Sequence, residues 1–169
     1  MPASTIGACA MVMNLANALA TVASVALLDS VGRRPLLLAS IASMGAAAAG
    51  LTAALDHADE WWAPTACVFS IGAFVAAFGV GLGPVVPLMP AELFPAQHRA
   101  SGSAIAWSAH WIGNFATAQS FLFQYRFFGS ALFAPHATAL AIGLVFAAAS
   151  VPETRGKSLE QIEHEMSAT

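Results

Sequence analysis

The side chains that could do chemistry in this chain lie almost entirely inside apolar runs. Asn14, Asn17, Thr21 and Ser24 recur at intervals of three, four and three, which puts them on one face of a helix. Trp107, Trp111 and Asn114 recur at four and three, with His110 and Gln119 in the same run. Stripes of this kind either join helices by hydrogen bonds, at about 0.6–2 kcal/mol per contact, or line a polar path. Nucleophilic and metal chemistry find less support. Ser108 and His110 have no third group to orient them, and Glu163-His164-Glu165 lacks the second histidine of a zinc-protease helix. Gly81-Leu82-Gly83 runs into Pro84 instead of completing a dinucleotide loop. Cys9 and Cys67 sit in separate apolar runs with no spacing that suggests a disulfide or a metal pair. The expectation is a protein that is not an enzyme, with no metal and no cofactor.

The elements that must position these groups are set by where charge is absent. Met1–Leu28, Pro35–Leu55, Trp61–Ala91, Ala100–Tyr125 and Phe127–Pro152 contain no Asp, Glu, Lys or Arg. Each reaches the roughly 20 residues that a helix needs to cross about 30 Å of hydrocarbon. Hydrophobic residues make up 58% of the 169 residues and charged residues 9%, against about 25% in an ordinary soluble domain. We therefore expect an all-α, multi-pass membrane bundle. Its five spans should lie near 6–28, 36–55, 64–90, 101–124 and 131–150. Residues 1–152 form the membrane region and 153–169 a tail. The opening Met1–Pro2 has no basic segment before the first run, which argues against a cleaved signal peptide.

Charge at the joints orients the bundle. Arg33, Arg34, Arg99, Arg155 and Lys157 fall on one side, five of the six basic residues. The other side has Asp56-His57-Ala58-Asp59-Glu60 and the lone Arg126. Basic loops face the cytoplasm, so the expected arrangement is N-terminus outside and C-terminus inside. Trp61 and Trp62 stand where an interfacial anchor belongs. Six basic residues offer no face for nucleic acid.

The third run contains Gly79-Val80-Gly81-Leu82-Gly83-Pro84-Val85-Val86-Pro87-Leu88-Met89-Pro90. Glycine and proline cost a helix interior about 1 and 3 kcal/mol respectively, so the segment should bend or break. Irregular backbone at membrane depth is tolerated where it is buried in protein or lines a cavity, as it does at transporter binding sites and gates.

Three motifs give the chain a family likeness. They are Asp29-Ser30-Val31-Gly32-Arg33-Arg34; Gly83-Pro84 with Glu92-Leu93-Phe94-Pro95 and Arg99; and Pro152-Glu153-Thr154-Arg155-Gly156-Lys157. In this order, and with these numbers of runs between them, they resemble the C-terminal part of a sugar porter of the major facilitator superfamily, from its eighth to its twelfth helix. The likeness covers nearly the whole chain. It implies a partial C-terminal half of that fold, a small-molecule sugar as ligand, and the lipid bilayer and a missing N-terminal half as partners. It places Asn17, Trp111 and Asn114 against a hexose. Amides can give and take hydrogen bonds with vicinal hydroxyls, and an indole face suits the C–H face of a pyranose. Gly83, Pro84, Pro87 and Pro90 become gating residues. Asp29, Arg33, Arg34, Glu92, Arg99, Glu153 and Arg155 become a cytoplasmic ion-pair network that closes one state.

The likeness has departures. Glucose transporters usually carry Gly-Pro-x-Pro-Trp, where this chain has Gly83-Pro84-Val85-Val86-Pro87, and their acidic residue shortly before it corresponds to Gly79. The proline-rich version looks most similar to the plastidic glucose transporter branch, leaving plasma membrane and plastid envelope both open. After the last motif, Ser158-Leu159-Glu160-Gln161 reads as a capping box, with Leu159, Ile162 and Met166 as the apolar edge of a short helix. Alternating access needs two halves, so the chain alone is expected not to transport. The other reading is an accessory membrane protein that packs on another transporter's helices through Gly45-Ala46-Ala47-Ala48-Ala49-Gly50.

Overall fold

A computed structural model describes residues 3–158 and 160–162. Among these the fold is entirely helical: α1 (Ala3–Ser30), α2 (Arg33–Asp56), α3 (Ala63–Ala77), α4 (Gly83–Leu93), α5 (Arg99–Phe128) and α6 (Ala134–Ser150). A π-helical turn, Phe78–Leu82, joins α3 to α4, and a 3-10 turn, Gly129–Ala131, follows α5.

Helix α2 is the hub, packing on α3, on α6 and on the π turn. Small residues allow that density. Ser40, Ala47, Ala48 and Ala54 are buried, Gly45 faces Leu140 of α6, and Gly50 faces Ser70 of α3. Of the run Gly45–Gly50 that the accessory reading would offer to a foreign helix, Ala47 and Ala48 are buried within the chain, while Ala46, Ala49 and Gly50 are exposed. A core of Leu28, Leu36, Leu37, Ile41, Val85 and Ala147 closes the end beside the tight α1–α2 turn. On α1, Met11, Leu15, Leu19, Val22 and Val25 are exposed at helical spacing, the apolar surface a bilayer would cover.

The glycine–proline run does not break its helix. Ala63–Leu93 continues as one segment of 31 residues, long and apolar enough to cross a membrane, as are Met13–Ser30 and Arg33–Asp56. The chain absorbs the run by widening to π at Phe78–Leu82, and Gly83 and Pro84 follow directly as the first residues of α4. Pro87 and Pro90 lie inside α4.

Helices α5 and α6 meet at a bend of 97° across a short break, and only together do they pass the same length and polarity test. Gly129, at φ 54°, ends α5. No described residue of the 30-residue α5 is buried; it meets α4 and the 3-10 turn. A helix touched only near its start and its end has little to fix its direction.

Candidate functional site

Two groups of polar side chains stand out, one at the π turn and one at the α1–α2 end of the bundle. At the π turn, glycine lets two helices press in from different directions. A Cβ on Gly79 would lie 2.6 Å from Asn17 Oδ1 of α1, and one on Gly81 would lie 2.5 Å from Leu36 O of α2. The Asn17 carboxamide oxygen is buried there with no hydrogen-bond partner, while its backbone carbonyl accepts the Thr21 hydroxyl at 2.9 Å. A buried acceptor left unpaired costs about 1–3 kcal/mol and is the kind of group that a ligand hydroxyl would satisfy. Of the α1 stripe, Thr21 and Ser24 bond back to carbonyls of their own helix.

Between the π turn and α4 on one side and α5 on the other lies an open-sided cavity of about 320 Å³. Phe78, Leu82, Val86 and Pro87 line it from one side, Trp107 and His110 from the other. The cavity is mostly apolar, and His110 is its titratable edge. His110 in turn organises α5: its ring meets Trp107 edge-on at 5.4 Å and Trp111 at 5.5 Å. The Asn114 side-chain amide lies within hydrogen-bond distance of His110 Nε2, at 2.9 Å. Trp111 itself is 64% exposed and, like Asn114, does not line the cavity. The sequence-expected trio is therefore split. Trp111 and Asn114 are held together through His110, while Asn17 stands apart on α1 against Gly79. Trp107 and His110, which the sequence reading left outside the trio, face the cavity together with Gly83, Pro87 and Pro90 of the expected gate.

At the other group the loops converge on two carboxylates. Glu92 takes Arg33 in an ion pair at 3.1 Å and the Thr154 hydroxyl on its second oxygen. Glu153 binds no guanidinium. Its oxygens accept the backbone N–H groups of Arg33 at 3.0 Å, Arg34 at 3.1 Å and Arg155 at 2.9 Å. Two of those amides are the first of α2, whose N-terminal residue Gly32 has no side chain to cap them. Gly32 also makes the approach possible: it sits at φ 105°, and a Cβ there would lie 2.7 Å from Glu153 Oε2. Burial raises the Glu153 pKa, but the N–H groups of Arg155, Arg33, Arg34 and Thr154 outweigh it and hold the carboxyl below its ordinary range.

The arginines mostly serve helix ends as well. Arg34 donates to Ala148 O at 2.7 Å, Arg33 to Leu28 O at 3.1 Å, and Arg155 to Ser30 O. The lattice is thus largely charge-to-backbone, because exposed helix termini offer unpaired amides and carbonyls in fixed directions. The Asp29 carboxylate makes no hydrogen bond or ion pair among the described residues, and Arg99 Nε is buried without a partner. Beyond the motif the capping box forms in both directions, Ser158 N–H to Gln161 at 2.9 Å and Gln161 N–H to Ser158 at 3.3 Å, and Ile162 is buried. Leu159, Met166 and Glu163-His164-Glu165 lie outside the described residues.

An apolar helical bundle with an open-sided cavity, an opened helix beside it and a charge lattice at one end is a multi-pass membrane protein with a partial major facilitator fold. The chain belongs to the family described as sugar (and other) transporter, which matches residues 4–166. It is 32% identical to the rat facilitated glucose transporter member 3 over 160 residues, 94% of this chain and 31% of that protein. Against the probable plastidic glucose transporter 2 of Arabidopsis thaliana it is 35% identical over 159 residues, 89% of this chain and 31% of the relative. Among solved structures it is similar to the inward-open xylose transporter XylE from E. coli. The TM-score is 0.80 at 26% identity, covering 91% of this chain and 34% of that one. The chain spans about a third of the length of each of these three proteins.

Proposed function

We propose that the chain is the C-terminal part of a transporter that carries a hexose across a membrane by alternating access. The observation that carries this reading is the sugar-transporter match over residues 4–166. Five spans cross the membrane, with α5 and α6 as separate crossings, and the N-terminal half that completes the moving pair lies outside this chain. Asn17 offers its unpaired carboxamide oxygen to a sugar hydroxyl, and Trp111 and Asn114 supply a stacking face and an amide. Gly83, Pro84, Pro87 and Pro90 form the gate. Arg33, Arg34, Glu92, Glu153 and Arg155 set the open–closed balance, with Asp29 and Arg99 available to pair in another state. Single exposed pairs worth about 0.2–1 kcal/mol can break in each cycle.

The test is uptake into liposomes. The full-length protein takes up D-glucose saturably in preference to L-glucose, and the 169-residue chain alone does not. Trp111→Ala and Asn114→Ala in the full-length protein each raise KM about tenfold, about 1.4 kcal/mol of binding. Stereoselective, saturable uptake by the chain alone would defeat the two-body requirement, and unchanged KM in both variants would remove these residues from the site.

A further inference from the structure

We infer that Ser40, on α2, is the positioning residue that sets the rotational register of α4, and that α4 has a second, α-helical register available to it. The inference deepens the reading of Gly83–Pro90 as the moving segment and rests on it for its functional meaning, though its geometry is independent.

A π turn winds one more residue than an α-helix would use over the same rise. Here a hydroxyl from a neighbouring helix lies across the opening. Ser40 Oγ donates to the Ala77 carbonyl at 2.7 Å and accepts the Leu82 N–H at 2.9 Å. Those groups are five residues apart, the spacing of a π ladder, and the next such pair, Phe78 C=O and Gly83 N–H, is closed by the backbone. Other intramembrane hydroxyls take a carbonyl of their own helix three or four residues back, as Ser24 does with Thr21, Thr52 with Ala48 and Ser108 with Ala104. Ser40 bonds across to another helix instead, and is 4% exposed. Gly81 makes room for it, since a Cβ there would lie 2.5 Å from Ser40 Cβ.

Without the hydroxyl, the cheaper arrangement of Phe78–Leu82 is the ordinary α ladder. That change keeps every residue but advances all those after Leu82 by about 100° and about 1.5 Å. Each then occupies the place of its C-terminal neighbour. Val85, now 0% exposed in the core, takes the place of cavity-lining Val86. Ala91 takes the place of Glu92, which leaves Arg33 without its carboxylate. One hydroxyl thus links the lining of the cavity to the ion pair at the far end of α4, through a discrete two-state element.

The experiment uses the full-length protein in membrane vesicles with Cys9→Ser and Cys67→Ser, carrying Val85→Cys or Val86→Cys. Labelling by methyl methanethiosulfonate is read by mass spectrometry. With Ser40 present, the thiol at 86 reacts and the thiol at 85 is protected. Adding Ser40→Ala moves the reactive site from 86 to 85. Deleting Val80 in the Ser40→Ala background removes the extra residue and returns reactivity to 86. A Ser40→Ala pattern identical to the parent overturns the inference. So does increased labelling at both positions that the deletion fails to reverse, since that marks Ser40 as packing support only. A one-residue shift with sugar uptake unaltered upholds the register and defeats the gating reading instead.

Discussion

Gly32 and Glu153 form a single device, and a double-mutant cycle measures it. Glu153→Ala removes the carboxylate that accepts the Arg33 and Arg34 amides, and Gly32 offers no replacement. Loss of an N-cap costs about 0.5–2 kcal/mol. Gly32→Ala acts twice. Its φ of 105° and ψ of 166° lie in a region that essentially only glycine occupies, worth about 1–3 kcal/mol of backbone strain. The new methyl also stands where the carboxylate is, 2.7 Å from Oε2, so the cap goes too. The single variant should therefore lose about 1.5–5 kcal/mol, the sum of those two ranges. In the double variant the cap can be lost only once. The combined loss falls short of the sum of the single losses by the cap's own worth, about 0.5–2 kcal/mol. The assay is SDS-induced unfolding of the purified protein in detergent micelles, followed by far-UV circular dichroism. Additivity within about 0.3–0.5 kcal/mol would show that the glycine and the carboxylate act separately, and the cap assignment would fail.

Three further variants have outcomes that the structure specifies. Because Glu153 has a folded-state pKa below its ordinary range, its contribution is fully present above about pH 4.3 and fades as pH falls through the lowered folded value. Glu153→Gln should remove that part of the acid sensitivity, which parallel SDS titrations at pH 7 and below pH 4.3 would detect. Gly81→Ala, with its Cβ 2.5 Å from Leu36 O, should cost about 1–3 kcal/mol by overpacking. Gly143→Ala, with nothing within 4 Å, should be neutral or stabilise α6 by up to about 1 kcal/mol, and the two SDS midpoints provide the comparison.

Much of the fold was legible because a bilayer leaves few choices. Charges such as Asp29, Arg33 and Glu92 at the joints mark helix ends, and the Ser158–Gln161 capping box appears where its spacing places it. Irregularity in the third run was legible from its glycines and prolines, but not its kind. A break, a kink and a π turn draw on the same residues, and the choice is made by Ser40 on another helix. A serine that bonds across reads in sequence like one that bonds back. Helix α5 hid its orientation for a different reason. Its polar residues, among them Ser108, His110, Asn114, Thr117 and Gln119, are spread over several faces, so periodicity could not show that Trp107 and His110, and not Trp111 and Asn114, turn toward α4. Of the seven charges expected to pair at the α1–α2 end, Arg33, Arg34, Glu92, Glu153 and Arg155 meet one another or a helix terminus, Asp29 and Arg99 do not among the described residues, and the pairing itself could not be read from the sequence. Glu153 is drawn to backbone amides by the unfilled N-terminus of α2, a site that Gly32 creates by having no side chain.

The cap on α2 also has a place in time. Glu153 is 120 residues beyond the Arg33 amide it receives. At a synthesis rate of about 5–20 residues per second, α2 waits roughly 6–24 s after its own translation for that carboxylate. During that interval the hub helix is in the membrane with its first amides open to headgroups and water. The closing motif acts as a late fastener: the α1–α2 hairpin becomes final only when the end of α6 has been made and its tail has folded back.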